Sequence, residues 1–248
     1  MKLKRGLSII LLMAITVIGL GAAKSTKIYD TVQTELTEEN YEKTGDAALL
    51  AQVESGLVSF GYYEQNNNTA DGKEIIEWLV LTREDNKALL VSKYALDCQQ
   101  YHSSLTGITW EKCSLRSWLN STFLNEAFTP DEQKQILTAT VSADRNPSWN
   151  IDAGNSTQDK IFLLSIDEVN KYFSSDSERW YRPTEYAVSQ MCYVDNNNGN
   201  CGWWLRSPGI DQYFAAYVDT SGAVYHYGNN VNRSGYAIHP AFWINLDS

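Results

Sequence analysis

The chain has 248 residues, enough for one large domain or two small ones, and 43% of them are hydrophobic. That much apolar material excludes a globally disordered chain, because it can bury a core. The formal net charge of −10 disfavours nucleic acid and anionic membrane surfaces as partners, since both recruit cations.

The first segment reads as a targeting signal. Lys2, Lys4 and Arg5 precede an apolar run over residues 7–20, and Gly21, Ala22 and Ala23 offer a cleavage site. Residues 1–23 are expected to be a signal peptide or an N-terminal anchor, since the run is short of the roughly 20 residues of a membrane span. Cleavage after Ala23 would remove three cations and no acids, taking the net charge from −10 to −13. The expected location is therefore secreted or cell surface. Membrane contact is expected only through an uncleaved N-terminal segment. Residues 24–52 are polar and acidic, with Glu35, Glu38, Glu39, Glu42 and Asp46, and read as a tether or a marginal helix. A single domain is expected over residues 53–248.

Within that domain strands come first. LVSFGYY (57–63) is a strand, a loop follows over 66–72, and 75–82 and 88–94 form a hairpin across Asp85 and Asn86. Helices occupy the middle. Residues 114–128 repeat apolar positions at three- and four-residue steps, with Ser114 as a cap near the start. Thr129 caps a second helix with Pro130 in its first turn. Residues 161–164 read as a short buried strand. Ser165 then caps a third helix running to about Phe173, and 183–191 forms a fourth. Strands return at 213–219 and 223–227, and a last one spans 237–246. That order predicts an α+β domain, not alternating βαβ units.

Four cysteines, Cys98, Cys113, Cys192 and Cys201, form an even count in a chain expected to be exported, which suggests disulfides. Of the three pairings, the local one, Cys98 with Cys113 and Cys192 with Cys201, closes the shortest loops. Four unpaired thiols are the alternative.

Signatures of catalysis or metal binding are sparse. His102, His226 and His239 have no metal-ligand spacing, and no CxxC, HExxH or GxSxG occurs. The loop from Asp195 to Asn200 departs from the calcium-loop pattern and reads as a solvated turn. No catalytic residue, metal or cofactor is assigned, and the chain is read as a non-enzyme. Arg206 is expected to make a buried structural hydrogen-bond pair, and Trp203, Trp204 and Trp243 to lie in the core.

The strongest candidate surface lies near the C-terminus. Alternation puts Tyr213 and Tyr217 on one face of their strand and Tyr225 and Tyr227 on the same face of the next. Asn229, Asn230, Asn232 and Arg233 sit at the edge. Tyrosine, asparagine and arginine combine rigid aromatic area with adaptable hydrogen bonding, the composition of binding surfaces. A plain sheet covering with an Asn/Gly turn is the competing reading.

Three motifs carry a resemblance: TWEKCSLRSWLNSTFLNEAF (109–128), STQDKIFLLSIDEV (156–169), and WWLRSPG with a later GAV and HPAFWINL (203–246). They resemble an uncharacterised bacterial domain family with a C-type lectin-like fold, from about Gly56 onward. The resemblance implies mixed short-stranded sheets, two to four helices, and pairing of the first strand (57–63) with the last (242–246). Calcium-binding lectins of this fold use Glu-Pro-Asn or Gln-Pro-Asp and a later Trp-Asn-Asp, which this chain lacks, so binding is expected to be calcium-independent. Retroelement-diversified variable proteins share the fold and place their Tyr- and Asn-rich variable segment similarly. The resulting expectation is an exported module that binds a protein or glycan. Two alternatives stand beside it: an enzyme, of the formylglycine-generating type or a hydrolase with a dispersed site, and a structural cell-surface domain.

Overall fold

The computed structural model describes residues 38–247, so the expected signal segment and the first part of the tether lie outside the described residues. The architecture is mixed α+β. Helix α1 (Glu38–Ser55) stops at Gly56, whose φ of +83° is the left-handed conformation that commonly ends a helix. There follow β1 (Leu57–Tyr63), β2 (Glu74–Glu84), β3 (Lys87–Ser92) and β4 (Asp97–Cys98). A continuous helical run joins α2 (Ser114–Trp118), a π-helical turn (Leu119–Phe123) and α3 (Leu124–Ala127). Next come α4 (Glu132–Gln135), β5 (Ala139–Val141), β6 (Thr157–Asp159), α5 (Ile166–Tyr172) and α6 (Glu185–Ser189). The remainder is β7 (Trp203–Pro208), β8 (Phe214–Val218), β9 (Val224–Asn230), β10 (Ala237–Ile238) and β11 (Ala241–Asn245).

Among the described residues three sheets form, ordered β1-β2-β3-β11, β4-β10-β7-β8-β9 and β5-β6. The core gathers side chains from both larger sheets and the 114–127 run. Trp78, Tyr101, Phe123, Phe162, Trp203, Trp204 and Phe242 are its largest fully buried members. Trp243 is only half-buried, with the Lys87 ammonium 4.3 Å from its ring centroid. Among the described residues no helix is long and apolar enough to cross a membrane.

Several local expectations hold. Ser165 accepts from Glu168 N while the Glu168 carboxylate accepts from Ser165 N, a complete capping box on α5. Thr129 and Glu132 make the same reciprocal pair before α4. The helix at 114 is capped differently: the Cys113 sulfur accepts from Arg116 N at 3.4 Å, and the Ser114 hydroxyl instead accepts from Ser103 N. Five helical runs stand among the described residues, one more than the upper expectation, because α1 extends through the second half of the tether. Residues 161–164 form only an isolated bridge, Phe162 to Ala241.

The expected pairing of first and last strands is corrected. β11 pairs antiparallel with β3, with Leu90 opposite Phe242, while β1 pairs with β2 at the far edge of that sheet. The cause lies in β3, whose residues Ala88–Ser92 are all buried. Its backbone donors and acceptors need a strand on both edges, and the tight β2–β3 hairpin satisfies only one.

The single last strand (237–246) is also corrected to two. β10 belongs to one large sheet and β11 to the other, and His239 and Pro240 carry the chain across. Proline has no N–H to give a ladder, which breaks the strand at that point. Its carbonyl accepts from Ser92 N at 3.0 Å, and His239 Nδ1 lies 3.1 Å from the Ser92 hydroxyl. The crossover is thus stitched to the end of β3.

Candidate functional site

Arg206 lies in β7, in the same sheet as the strands of the predicted surface, and is 3% exposed. Its guanidinium donates to Leu163 O at 2.9 Å, to Ser142 O at 3.2 Å, and to the carboxylates of Glu168 and Asp144. The Tyr101 hydroxyl donates to its carbonyl. The expected structural role of Arg206 is therefore met by a network, which ties β7 to the 142–144 segment and to the start of α5.

The four predicted tyrosines do not share one face. Tyr217 and Tyr225 are cross-strand partners, stacked with centroids 5.1 Å apart at 16°. Beyond them the ladder slips. One β8 residue lies between the pairs Ala215–Asn229 and Tyr217–Tyr225, against three on β9. This is a bulge, and it passes through Gly228, whose φ is +79° and where a Cβ would sit 2.5 Å from Ala215 O. The extra residues turn Tyr227 away. It packs edge-on against Phe214 and Trp149, at 5.6 and 5.9 Å. Tyr213 lies at the other end of β8, near Gly107.

The stacked pair belongs to a larger aromatic group. Tyr236 lies 4.2 Å from buried Trp204 and 4.7 Å from Tyr217, and the Asn229 amide donates to its hydroxyl at 2.9 Å. Above this group opens a cleft of about 350 Å³, lined by Tyr193, Tyr217, Asp219, Asn229, Arg233 and Tyr236 among others. Burial and the neighbouring Tyr236 push the Tyr217 hydroxyl above its ordinary pKa, so it stays a neutral donor. Of the eight predicted residues, Tyr217, Asn229 and Arg233 line the cleft and Tyr225 stacks behind one wall. Tyr213, Tyr227, Asn230 and Asn232 do not line it. The Asn230 N–H donates to Asn229 Oδ1, and the Asn232 carbonyl accepts from Gln100.

Sequence reading missed Tyr193, Tyr236 and Asp219. Tyr193, 64% exposed, follows α6, and its N–H donates to Gly235 O at 3.0 Å, which holds it at the mouth. Among the described residues the Asp219 carboxylate hydrogen-bonds through one oxygen, which accepts from the Ser221 and Ala223 N–H groups and from the Ser221 hydroxyl. Among the described residues the Arg233 guanidinium makes no ion pair, so the cleft holds one acid and one base that do not neutralise each other.

The loop at Asp195 is held by its own side chains. Its carboxylate accepts from Asn197 N at 2.7 Å and from the Thr220 hydroxyl at 3.3 Å, and the first of these holds its pKa below the usual range. The Ser148 hydroxyl lies 2.9 Å from His226 Nδ1, but neither residue lines the cleft, and burial lowers the histidine pKa. That contact anchors the 146–149 segment to β9, together with Asn146 donating to His226 O.

All four cysteines are buried free thiols; Cys192 lies beside Cys201, as in the local pairing, but Cys98 does not lie beside Cys113. Cys113 sits against Tyr101 and caps α2. Cys98 neighbours Cys192, and Cys192 neighbours Cys201. Hydrogen bonding to a neighbouring thiol, and then burial, raises the thiol pKa of Cys98 and of Cys192, the opposite of an activated nucleophile.

Comparison with curated proteins and with solved structures finds no match. Residues 85–246, which hold the whole five-stranded sheet, two strands of the four-stranded one, all of Arg206's network and the whole aromatic cleft, match the family model described as a domain of unknown function, DUF6273, and the chain belongs to that family.

Proposed function

We propose that this chain is an exported recognition module of C-type lectin-like kind that binds a glycan, without calcium, in the cleft between Tyr193, Tyr217 and Tyr236. The observation that carries the reading is the cleft itself: an aromatic floor with an unneutralised acid and base at its rim. Its volume of about 350 Å³ falls at the lower end of ligand pockets, the size of one or two sugar rings. Tyrosine faces accept the C–H side of a sugar ring. A carboxylate that accepts and a guanidinium that donates suit a ligand whose hydroxyls do both. A strongly charged ligand would meet repulsion from either Asp219 or Arg233. The lectin-like fold is supported by the three sequence motifs and agrees with the mixed α+β architecture. Export is supported by the N-terminal sequence.

A glycan array with residues 24–248 tests the reading. Tyr193→Ala and Arg233→Ala are suited to it, because both side chains are exposed and their loss leaves the core alone. Each is expected to weaken glycan binding about tenfold, since one aromatic contact or charge-assisted hydrogen bond is worth about 1.5 kcal/mol. Binding unchanged in both variants would refute the site. A protein partner is the second reading. It is favoured by the exposed Tyr213, Tyr225, Tyr227 and Trp149, which offer aromatic area outside the cleft.

A further inference from the structure

Three of the four cysteines converge although they are far apart in sequence. Cys98 lies in β4 opposite Ala237 of β10, and Ala237 is opposite Trp203 of β7, two residues past Cys201. Cys201 is bridged to Val194, two residues past Cys192. Helix α6, which ends just before Cys192, packs on β4. Cys192 therefore sits between the other two.

The three thiols are not equivalent. Cys201 is fully buried, and its sulfur donates to Tyr181 O at 3.4 Å. Cys98 lines a second, polar cleft of about 220 Å³ with Gln99, Gln190 and Ser234. It is 8% exposed and Cys192 is 7% exposed, so both lie just under the surface. Cys192 makes one long contact, 3.8 Å, from its sulfur to its neighbour's carbonyl.

We propose that Cys98 and Cys192 are a disulfide-forming pair, joining β4 to the segment after α6 and leaving Cys113 and Cys201 as thiols. The reaction needs a small disulfide oxidant, RSSR. One thiol, as its thiolate, attacks RSSR and expels RS⁻. The second thiol gives up its proton and displaces the other RS⁻ from the mixed disulfide. Two cysteine thiols are oxidised to one disulfide, and RSSR is reduced to two RSH, which carry the two protons. Both thiols are held protonated at neutral pH, so the folded, reduced protein reacts slowly, while a refolding chain reacts before burial sets in. The bond closes a loop from residue 98 to residue 192 and fixes the backbone next to Tyr193. The pairing stands independently of any ligand in the aromatic cleft.

The test is disulfide mapping. Reduced protein is refolded from urea in a mixture of reduced and oxidised glutathione, quenched with acid, alkylated, digested and analysed by mass spectrometry. The expected product links the Cys98 and Cys192 peptides, with Cys113 and Cys201 alkylated. The same link should form at least tenfold more slowly when the folded, reduced protein is oxidised at pH 7, and faster at pH 9. Cys113→Ser should leave the link intact. A major product pairing Cys192 with Cys201 or Cys98 with Cys113 overturns the proposal, as does a refolded chain with four free or glutathione-capped thiols.

Discussion

Replacing Arg206 is the sharpest test of how this fold is held. Arg206→Met keeps an unbranched apolar stem but removes all five donors. Leu163 O, Ser142 O and the carboxylates of Glu168 and Asp144 then lose their partner in a site only 3% exposed. Breaking a buried pair from one side costs about 3–5 kcal/mol. The two carboxylates are 26% and 29% exposed and recover some hydration, which places the cost near the lower end. For a domain of this size 1 kcal/mol moves Tm by about 2–4 °C, so a loss of about 6–12 °C is expected. Glu168→Gln should cost far less. Glutamine can still complete the capping box with Ser165 and can accept from Arg206. Arg206→Lys should behave like methionine more than like wild type, because one ammonium cannot reach acceptors on both the 142–144 segment and α5. Thermal unfolding followed by near-ultraviolet circular dichroism, which the buried tryptophans dominate, reads all three. A lysine variant within about 2 °C of wild type would refute the network as the source of stability.

Gly222→Ala should destabilise the β8–β9 hairpin, because its φ is +84° and a Cβ would sit 2.0 Å from Asp176 O; urea midpoints should register a loss of at least about 1–3 kcal/mol. Acid should weaken the fold through His239, whose complete burial lowers its pKa to about 3. The unfolded histidine binds a proton near pH 6.5 while the folded one does not, so its contribution is intact above pH 6.5. It is lost as pH falls from 6.5 towards 3, at up to about 1.4 kcal/mol per unit, and His239→Asn should flatten that part of a urea-midpoint profile. Lys134→Ala removes a pair with Asp131 that is fully exposed, and Tm should not move measurably.

What could be read from the sequence was local. The Ser165–Glu168 and Thr129–Glu132 pairs sit at the fixed three-residue spacing of a helix start, so the side chains declare the element. The 57–63 strand and the β2–β3 hairpin were legible from apolar runs and the Asp85–Asn86 turn. Distant pairing was not. Nothing near 57–63 says that its sheet partner is β2 alone, and the choice of β3 by β11 depends on burial some 150 residues away. Two misreadings had visible signals. Pro240 in the middle of a supposed strand marked the break. Gly228, just past the expected 223–227 strand, marked the bulge that turned Tyr227 out of the predicted face. Tyr193 and Tyr236 had no such signal, since both lie in loops and only the tertiary fold brings them beside Tyr217.

The crossing of the chain at His239 and Pro240 bears on how the protein reaches its native state. Residues 237–245 supply β10 to one large sheet and β11 to the other, and β11 meets β3 across a sequence separation of about 150 residues. Neither sheet is complete until this one segment docks. Closing so long a loop carries its full entropy cost before the pairing repays it, so contact order is high and folding is expected to be slow. Until then β3 exposes an apolar edge, the state in which such a chain is most open to aggregation or to a chaperone. Docking of residues 237–245 is the step that would complete both sheets together.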